Sequence, residues 1–210
     1  MCQTLAPWQH ACVSLATLKC GSTAVTELGP LAACTSLQNL NCCETSVSEL
    51  GPLTACTMLQ TLDCRRSKVS VLGPLASCTM LLTLNCRRSK VSELGPLASC
   101  TMLQTLDCSS CTAVTELGPL AACTLLQDLD CNDTGVSELG PLAECTVLQN
   151  LDCSGTGVTE LGPLAACTGM VNLRCPASVT QAQIQLLQEA CRNLEEVDTG
   201  WAHLELAELC

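Results

Sequence analysis

A unit of about 22 residues recurs along this chain and constrains its fold more than any other feature. The segment CRRSKVSVLGPLASCTM at residues 64–80 returns as CRRSKVSELGPLASCTM at residues 86–102, with Val71 replaced by Glu93. The same unit, marked by LGPL, begins at Leu28, Leu50, Leu72, Leu94, Leu117, Leu139 and Leu161. A fixed period in this range predicts a solenoid, in which each repeat is one coil stacked on the next.

The pattern within one unit, L-x-x-L-x-C-x-x-[TS]-x-V-x-x-L-G-P-L-x-x-C-T, predicts the path of a coil. Side chains alternate around Leu40 and Cys42, which indicates a short strand, and strands of successive coils would stack into a parallel sheet. Pro52 suits the first position of a helical turn. Because only a few residues separate Pro52 from Leu59, that turn is expected to be 3₁₀-like.

This pattern resembles that of the leucine-rich repeat family, and its length and PLAxCTxL linker resemble the internalin-type repeats. The abundance of cysteine is similar to that in large repeat families of kinetoplastid protists. The resemblance covers about residues 12–199 and implies an α/β solenoid of horseshoe shape. It also implies a parallel β-sheet of about nine strands on the concave face, and 3₁₀ or short helical turns on the convex face.

The whole chain is interpreted as a single leucine-rich-repeat domain, 1–210. It comprises an N-terminal coil at 1–27, regular 22-residue repeats at 28–175, and a helical C-terminal coil and cap at 176–210. Trp8 and Cys12 are expected to close the N-terminal end.

The C-terminal part departs from the regular pattern. A capping box starting at Ser178 and apolar residues at helical spacing predict one longer helix over 180–192. A degenerate ninth strand is expected around Val197.

Most of the 21 cysteines fall in two columns, where they replace the inward leucines of the family. The strand column is Cys20, Cys42, Cys64, Cys86, Cys108, Cys131, Cys153 and Cys175. The linker column is Cys12, Cys34, Cys56, Cys78, Cys100, Cys123, Cys145, Cys167 and Cys191. A free cysteine behaves as a small buried hydrophobe, and residues 1–20 show no secretory signal. These observations predict reduced thiols and a cytoplasmic protein, although the spacing of the coils alone would permit bridges between them.

Two cysteine features allow a functional interpretation. Cys108 and Cys111 form a C-x-x-C, which could be a redox pair or half of a zinc site, or simply two structural positions of the repeat. Cys43 points to the opposite face from Cys42 and is a candidate exposed thiol.

The formal net charge of −11 argues against binding to nucleic acid or to an anionic membrane. Six of the nine Lys and Arg residues nevertheless lie in the two copies described first. They define what we call the basic surface: Arg65, Arg66, Lys68, Arg87, Arg88 and Lys90. Along the outward strand positions this surface is followed by acidic residues. The predicted partner-binding set is the basic surface together with Asp63, Asn85, Asp107, Asp130 and Asp152.

Two interpretations of the basic surface remain open. It is either a site for an acidic partner or a solvated patch that was copied with the repeat, partly neutralised by Glu44 and Asp63. The acidic residues that follow the basic surface, Asp107, Asp130 and Asp152, lack the loop spacing of a calcium site.

No catalytic group, cofactor site or metal site is predicted. The two histidines, His10 and His203, lie in opposite terminal coils, and no phosphate loop or zinc signature occurs. The family resemblance therefore implies a non-enzymatic scaffold that binds a protein partner with an acidic patch on its concave face or rim, and that is monomeric alone. Two alternatives are a regulatory subunit or inhibitor that caps an enzyme, and a structural component of a larger assembly.

Overall fold

The computed structural model describes residues 14–199 of the chain as a stack of coils. Within these residues, nine three-residue strands form one parallel sheet in the order β1 to β9. The strands are β1 Thr17–Lys19, β2 Asn39–Asn41, β3 Thr61–Asp63, β4 Thr83–Asn85, β5 Thr105–Asp107, β6 Asp128–Asp130, β7 Asn150–Asp152, β8 Asn172–Arg174 and β9 Glu196–Asp198. The predicted solenoid with its parallel sheet is thereby confirmed.

The register of the sheet follows the period of the sequence. Leu40 of β2 pairs with Leu62 of β3, and Leu62 pairs with Leu84 of β4, so that equivalent residues of successive coils lie side by side. The middle residue of β2 to β8 is a buried leucine, while its two neighbours point to the other face of the sheet. We call that other face the open face.

Seven 3₁₀ helices carry the chain back behind the sheet in the described residues. They span Gly29–Ala33, Gly51–Ala55, Gly73–Ser77, Gly95–Ser99, Gly118–Ala122, Gly140–Glu144 and Gly162–Ala166. Each has its proline in the first turn, where the missing N–H is harmless. At the end of each helix, the backbone N–H of the linker cysteine donates to the carbonyl oxygen of the buried leucine, as from Cys56 to Leu53 at 2.9 Å.

The linker cysteines have a role that leucine could not fill. The Cys78 thiol lies 3.5 Å from the Leu53 carbonyl oxygen in the preceding coil, and Cys100 lies 3.4 Å from that of Leu75. A thiol is a weak hydrogen-bond donor, so each linker cysteine fills the core and also adds a second hydrogen bond to a 3₁₀-helix carbonyl that already accepts a backbone N–H. The rest of the core is built of Leu, Val and the cysteines of the strand column together with Cys111, with Met170 and Ile184 near its C-terminal end.

The C-terminal helix, α1, spans Gln181–Ala190. The predicted bounds of 180–192 are close, but the predicted position of the capping box was wrong by two residues. Thr180 is the N-cap, and its side chain and that of Gln183 cap each other's backbone N–H groups. Ser178 instead donates to the Val158 carbonyl oxygen at 2.6 Å, which ties it to the preceding coil.

The ninth strand is confirmed as Glu196–Asp198. Predictions that involve Trp8, His10, Cys12 or His203 lie outside the described residues, as do the outer parts of the terminal coils predicted at 1–27 and 176–210. The division of the chain into those three parts stays a prediction.

Candidate functional site

The predicted site residues lie along the open face and its edge at the carboxyl ends of the strands. Asp63, Asn85, Asp107, Asp130 and Asp152 are the last residues of β3 to β7, and the register places each beside the next. The arginines of the basic surface follow directly in the chain, in the turns after β3 and β4. The sheet thus brings the strand-end residues of the predicted set side by side, with the arginines in the turns that follow them.

The last strand residue has a structural function that the sequence analysis missed. The Oδ1 of Asp63 accepts the backbone N–H of Arg65 at 3.2 Å, and the same bond joins Asn85 to Arg87 at 3.1 Å and Asp107 to Ser109 at 3.0 Å. This is an Asx turn, which Asn and Asp both support. The restriction of this position to Asn or Asp in coil after coil was the available signal.

A strained backbone position comes next in each turn. Arg66 and Arg88 both have φ of 53°, and equivalent residues of other coils, such as Glu44 and Asp133, share the left-handed conformation. Most side chains avoid this region, and glycine fills it in one coil, at Gly155. The arginines are therefore held by tight turns at the edge of the sheet.

The first copy of the basic surface is partly neutralised, as predicted. The Arg65 Nε lies 3.6 Å from the Asp63 Oδ2, and the Arg66 Nη1 lies 3.0 Å from the Glu44 Oε1. Hydrogen bonds from Ser22 and then from Arg66 lower the pKa of the Glu44 carboxyl. Arg65, Arg66 and Glu44 are exposed and Asp63 is partly exposed, so each pair contributes little to stability.

The second copy lacks these counterions. The position beneath Arg87 that corresponds to Asp63 is Asn85, and the preceding-coil position that corresponds to Glu44 is Arg66. In the part of the chain that the structure describes, no carboxylate lies within 4.0 Å of either Arg87 or Arg88. The two copies have the same sequence here, yet only in the second are both arginines without an ion-pair partner in that part of the chain.

The lysines of the basic surface are also unpaired. Lys68 and Lys90 are exposed, and neither forms an ion pair within residues 14–199. Four side chains of the basic surface therefore have no ion-pair partner within the described residues: Lys68, Arg87, Arg88 and Lys90.

Acidic residues dominate the open face beyond β4. Asp107, Asp130 and Asp152 lie side by side on β5, β6 and β7, and together with Asp128 they line a depression of about 430 Å³. Burial, and then repulsion by Asp107 and Asp152, raise the pKa of the Asp130 carboxyl. Arg174 also lines the depression, and its Nη1 lies 3.8 Å from the Asp152 Oδ2.

Replacing Asp130 with Asn should raise the stability of the protein at neutral pH. Asn keeps the Asx-turn acceptor, as Asn85 shows, and removes a carboxylate flanked by two others. Relief of cross-strand repulsion contributes about 0.2–1 kcal/mol. The raised pKa means that the ionised Asp130 carboxylate destabilises the folded state, whereas the protonated carboxyl does not. The gain in stability should therefore be present at pH 7 and vanish below about pH 4.

Thermal unfolding across this pH range tests the expectation. The matched control is Asp63→Asn, which also keeps the Asx turn but removes the partner of Arg65, and it should give no gain. A stability gain for Asp130→Asn that persisted unchanged at low pH would contradict the electrostatic explanation.

The expectation of an exposed thiol at Cys43 was wrong. Cys43 is only 8% exposed, because the turn that follows β2 packs against the adjacent turn, where the Ser22 N–H donates to the Cys43 carbonyl oxygen. Alternation predicts side-chain direction within a strand but not in the turn that follows it.

The C-x-x-C pair occupies two structural positions. Cys108 belongs to the strand column, and Cys111 takes the place of the hydroxyl residues of other coils, 3.5 Å from the Ser89 hydroxyl. Hydrogen bonds from Cys86 and, to a lesser degree, from Ser89 lower the pKa of the Cys111 thiol to about 6. Cys111 is only 1% exposed, so this thiol is out of reach of solution reagents in the folded chain.

In other coils a hydroxyl fills the position of Cys111. The Thr45 hydroxyl donates to the Cys42 carbonyl oxygen at 2.7 Å, and the Ser67 hydroxyl to that of Cys64 at 2.6 Å. Each of these hydroxyls thus satisfies the carbonyl of the strand-column cysteine three residues before it. Within the described residues, no group of three or more His, Cys, Asp or Glu side chains is arranged to hold a metal ion, and no helix is long and apolar enough to cross a membrane.

No protein-family model and no curated protein matches this chain. Solved structures do resemble it. Internalin C2 of Listeria monocytogenes is 24% identical with a TM-score of 0.84, over 91% of this chain and 83% of that one. The functional domain of InlJ from the same organism, described as including a cysteine ladder, is 22% identical with a TM-score of 0.69. It matches over 88% of this chain and 44% of its own length.

A leucine-rich-repeat protein of Leptospira interrogans, LIC12759, is 16% identical with a TM-score of 0.79, over 87% of this chain and 48% of that one. These likenesses show that the chain has the leucine-rich-repeat fold, with internalins and a cysteine-ladder domain among its structural neighbours. The predicted internalin-like repeat is thereby confirmed, whereas the similarity to kinetoplastid repeats stays a prediction.

Proposed function

We propose that this protein is a scaffold that binds a protein partner on the open face of its sheet and on the edge that carries the basic surface. The partner presents an acidic patch to Lys68, Arg87, Arg88 and Lys90, while the polar residues at the strand ends make hydrogen bonds. The proposal includes a chain that is monomeric alone, is not an enzyme, and binds neither nucleic acid nor membranes.

The observation that carries this proposal is the uncompensated charge of the second copy. The arginines of the first copy have the acidic neighbours Asp63 and Glu44. In the second copy Asn85 and Arg66 hold these two positions, so that positive charge accumulates on a chain of net charge −11. Such focusing steers an acidic partner and makes the encounter sensitive to salt.

The reducing cytoplasm is the compartment that we propose. In support, the cysteines from Cys42 to Cys191 are free thiols, and nearly all of them are buried at repeat positions. Disulfides persist in oxidising compartments and are rare in cytosolic proteins.

Substitution of Arg88 by Gln tests the proposed site. It should weaken partner binding by about 1–3 kcal/mol, the contribution of a charge-assisted contact, and should reduce the salt dependence of the affinity. The partner is captured from cells that express the wild-type chain, purified, and titrated against wild type and variants by calorimetry over a salt series.

Two control variants carry the same change of charge. Arg66→Gln removes an arginine already paired with Glu44, and Arg192→Gln lies outside the basic surface, so both should weaken binding less than Arg88→Gln does. Equal affinities for all three variants at every salt concentration would reduce the basic surface to a copied solvated patch. An activity assay on the captured partner then distinguishes a scaffold from a regulatory subunit or inhibitor. Recovery of the chain only within a large stable complex would favour a structural component.

A further inference from the structure

A row of exposed apolar side chains runs along the edge of the solenoid opposite the basic surface, where the chain passes from each linker into the next strand. Met58, Met80, Met102, Leu125 and Val147 occupy the same position in five successive coils, and each is 38–43% exposed. We call this row the apolar stripe. Contiguous exposed apolar surface of this kind marks an interaction site more often than scattered residues do.

The sequence segments around most of the apolar stripe carry no charge. Residues 54–61, 76–83, 98–105 and 121–127, which surround its first four members, contain no charged side chain. In the described part of the chain, the other large exposed hydrophobic residues are Val71 and Leu186, which lie away from the stripe. Ser36 and Gly169 hold the equivalent position in the flanking coils, so the stripe is confined to five coils.

The carboxylate of Asp128 borders one side of the stripe. Asp128 begins β6 only three residues after Leu125, and Asp107 and Asp130, at the carboxyl ends of β5 and β6, line the depression of about 430 Å³ further along the open face. Within residues 14–199, none of these three carboxylates forms an ion pair. A partner seated on the stripe would therefore find the negative charge of Asp128 along that side and no charged side chain around its first four members.

The spacing of the stripe favours an α-helix over an extended peptide. Adjacent coils are about 4.8 Å apart, so five side chains span about 19 Å. Successive turns of a helix place side chains about 5.4 Å apart, or about 22 Å over the same number. Alternate residues of a strand are about 6.6 Å apart, which gives about 26 Å and loses register within the stripe.

We propose that the apolar stripe is a docking site for a basic amphipathic α-helix of a second protein partner. The apolar face of the helix packs on Met58 through Val147, and Lys or Arg residues along one of its flanks reach Asp128, at the amino-terminal end of β6. This goes beyond the proposed function, since it concerns the opposite edge of the solenoid and a partner of opposite charge. The chain would then hold two partners at once.

The test uses three fluorescent peptides of about fifteen residues and measures their binding to the full chain by anisotropy. The first carries Leu at helical spacing and Lys along one flank. The second has the same Leu residues with Glu in place of Lys. The third has the composition of the first with Leu at every second residue. The first peptide should bind, and the other two should bind at least about tenfold more weakly.

Variants of the chain assign the binding to the stripe. The double variant Met102→Glu/Leu125→Glu should weaken binding of the first peptide at least about tenfold. The matched control is Val71→Glu, which adds charge at another exposed apolar residue and reproduces Glu93 of the next coil. Equal binding of the Lys and Glu peptides, or an equal loss in the control variant, would overturn the proposal.

Self-association is the competing occupant, and sedimentation of the chain alone detects it. A concentration-dependent dimer that is abolished by Met102→Glu/Leu125→Glu but not by Val71→Glu would assign the stripe to a second copy and would also overturn the proposal. A monomer at all concentrations, together with selective binding of the first peptide, is the expected result.

Discussion

Deleting residues 64–85 should leave a folded protein that is one coil shorter. The deletion joins Asp63 to Cys86, which is the same pair of residue types that Asp63 and Cys64 form now, and it preserves the Asx-turn acceptor. Because stability in a solenoid is a sum over neighbouring interfaces, the loss is limited to one coil and one interface. Circular dichroism should show the native spectrum, and cooperative thermal unfolding should persist at a lower midpoint.

Deleting residues 64–74 instead should abolish the native fold, although it removes only half as much chain. It joins Asp63 to Leu75, so the segment that follows β3 would place a 3₁₀ residue in the turn and shift the later coils out of register. Such a shift of register would expose buried leucines throughout the junction. Equal loss of structure in both deletions would show that the 22-residue coil is not the cooperative unit.

The thiols of the two cysteine columns should be almost inert in the folded protein and fully reactive in denaturant. Burial raises the pKa of Cys42 to about 12 and that of Cys100 to about 11. Since the thiolate is the reactive form, these thiols should react with an aromatic disulfide reagent at pH 8 at least about 100-fold more slowly than in the unfolded chain. Time courses with and without denaturant, both in the absence of reductant, measure the ratio.

Cys111 separates the two causes of this protection. Its pKa of about 6 favours the thiolate, yet only 1% of its surface is exposed. If access dominates, Cys111 should be as slow as the rest, and Cys111→Ser should leave the native reaction unchanged. If fewer than half of the thiols titrated in denaturant, disulfides would be present, and the proposal of a cytoplasmic protein would fail.

The fold could be predicted from the sequence because every coil of a solenoid carries nearly the same pattern and therefore forms the same short elements. The alternation around Leu40 and the proline in LGPL each specify a short element, and the constant period then fixes the parallel register. What failed were features that depend on a single turn. Thr180 rather than Ser178 caps α1, and Cys43 is buried although alternation points it outward.

The candidate site was predicted as a set of residues but not as a distribution of charge. The positions of Arg65 and Arg87 follow from the period, whereas their ionic partners depend on which residue the neighbouring coil supplies. The identical sequences of the two copies therefore concealed the difference between Asp63 and Asn85. The apolar stripe was missed for a related reason, since Met58 and Leu59 are both apolar and only the backbone path decides which of them is buried.

The stacking arrangement has a mechanical consequence. Hydrogen bonds such as those from Cys42 to Asp63 and from Cys64 to Asn85 connect each coil to the next, along the direction in which the coils are stacked. A tension applied between the two ends of the stack would load the coil junctions in series, so that the weakest junction opens first while the others keep their bonds. A partner clamped across several coils would share that tension, and occupancy of the open face would then decide how far the chain unravels under load.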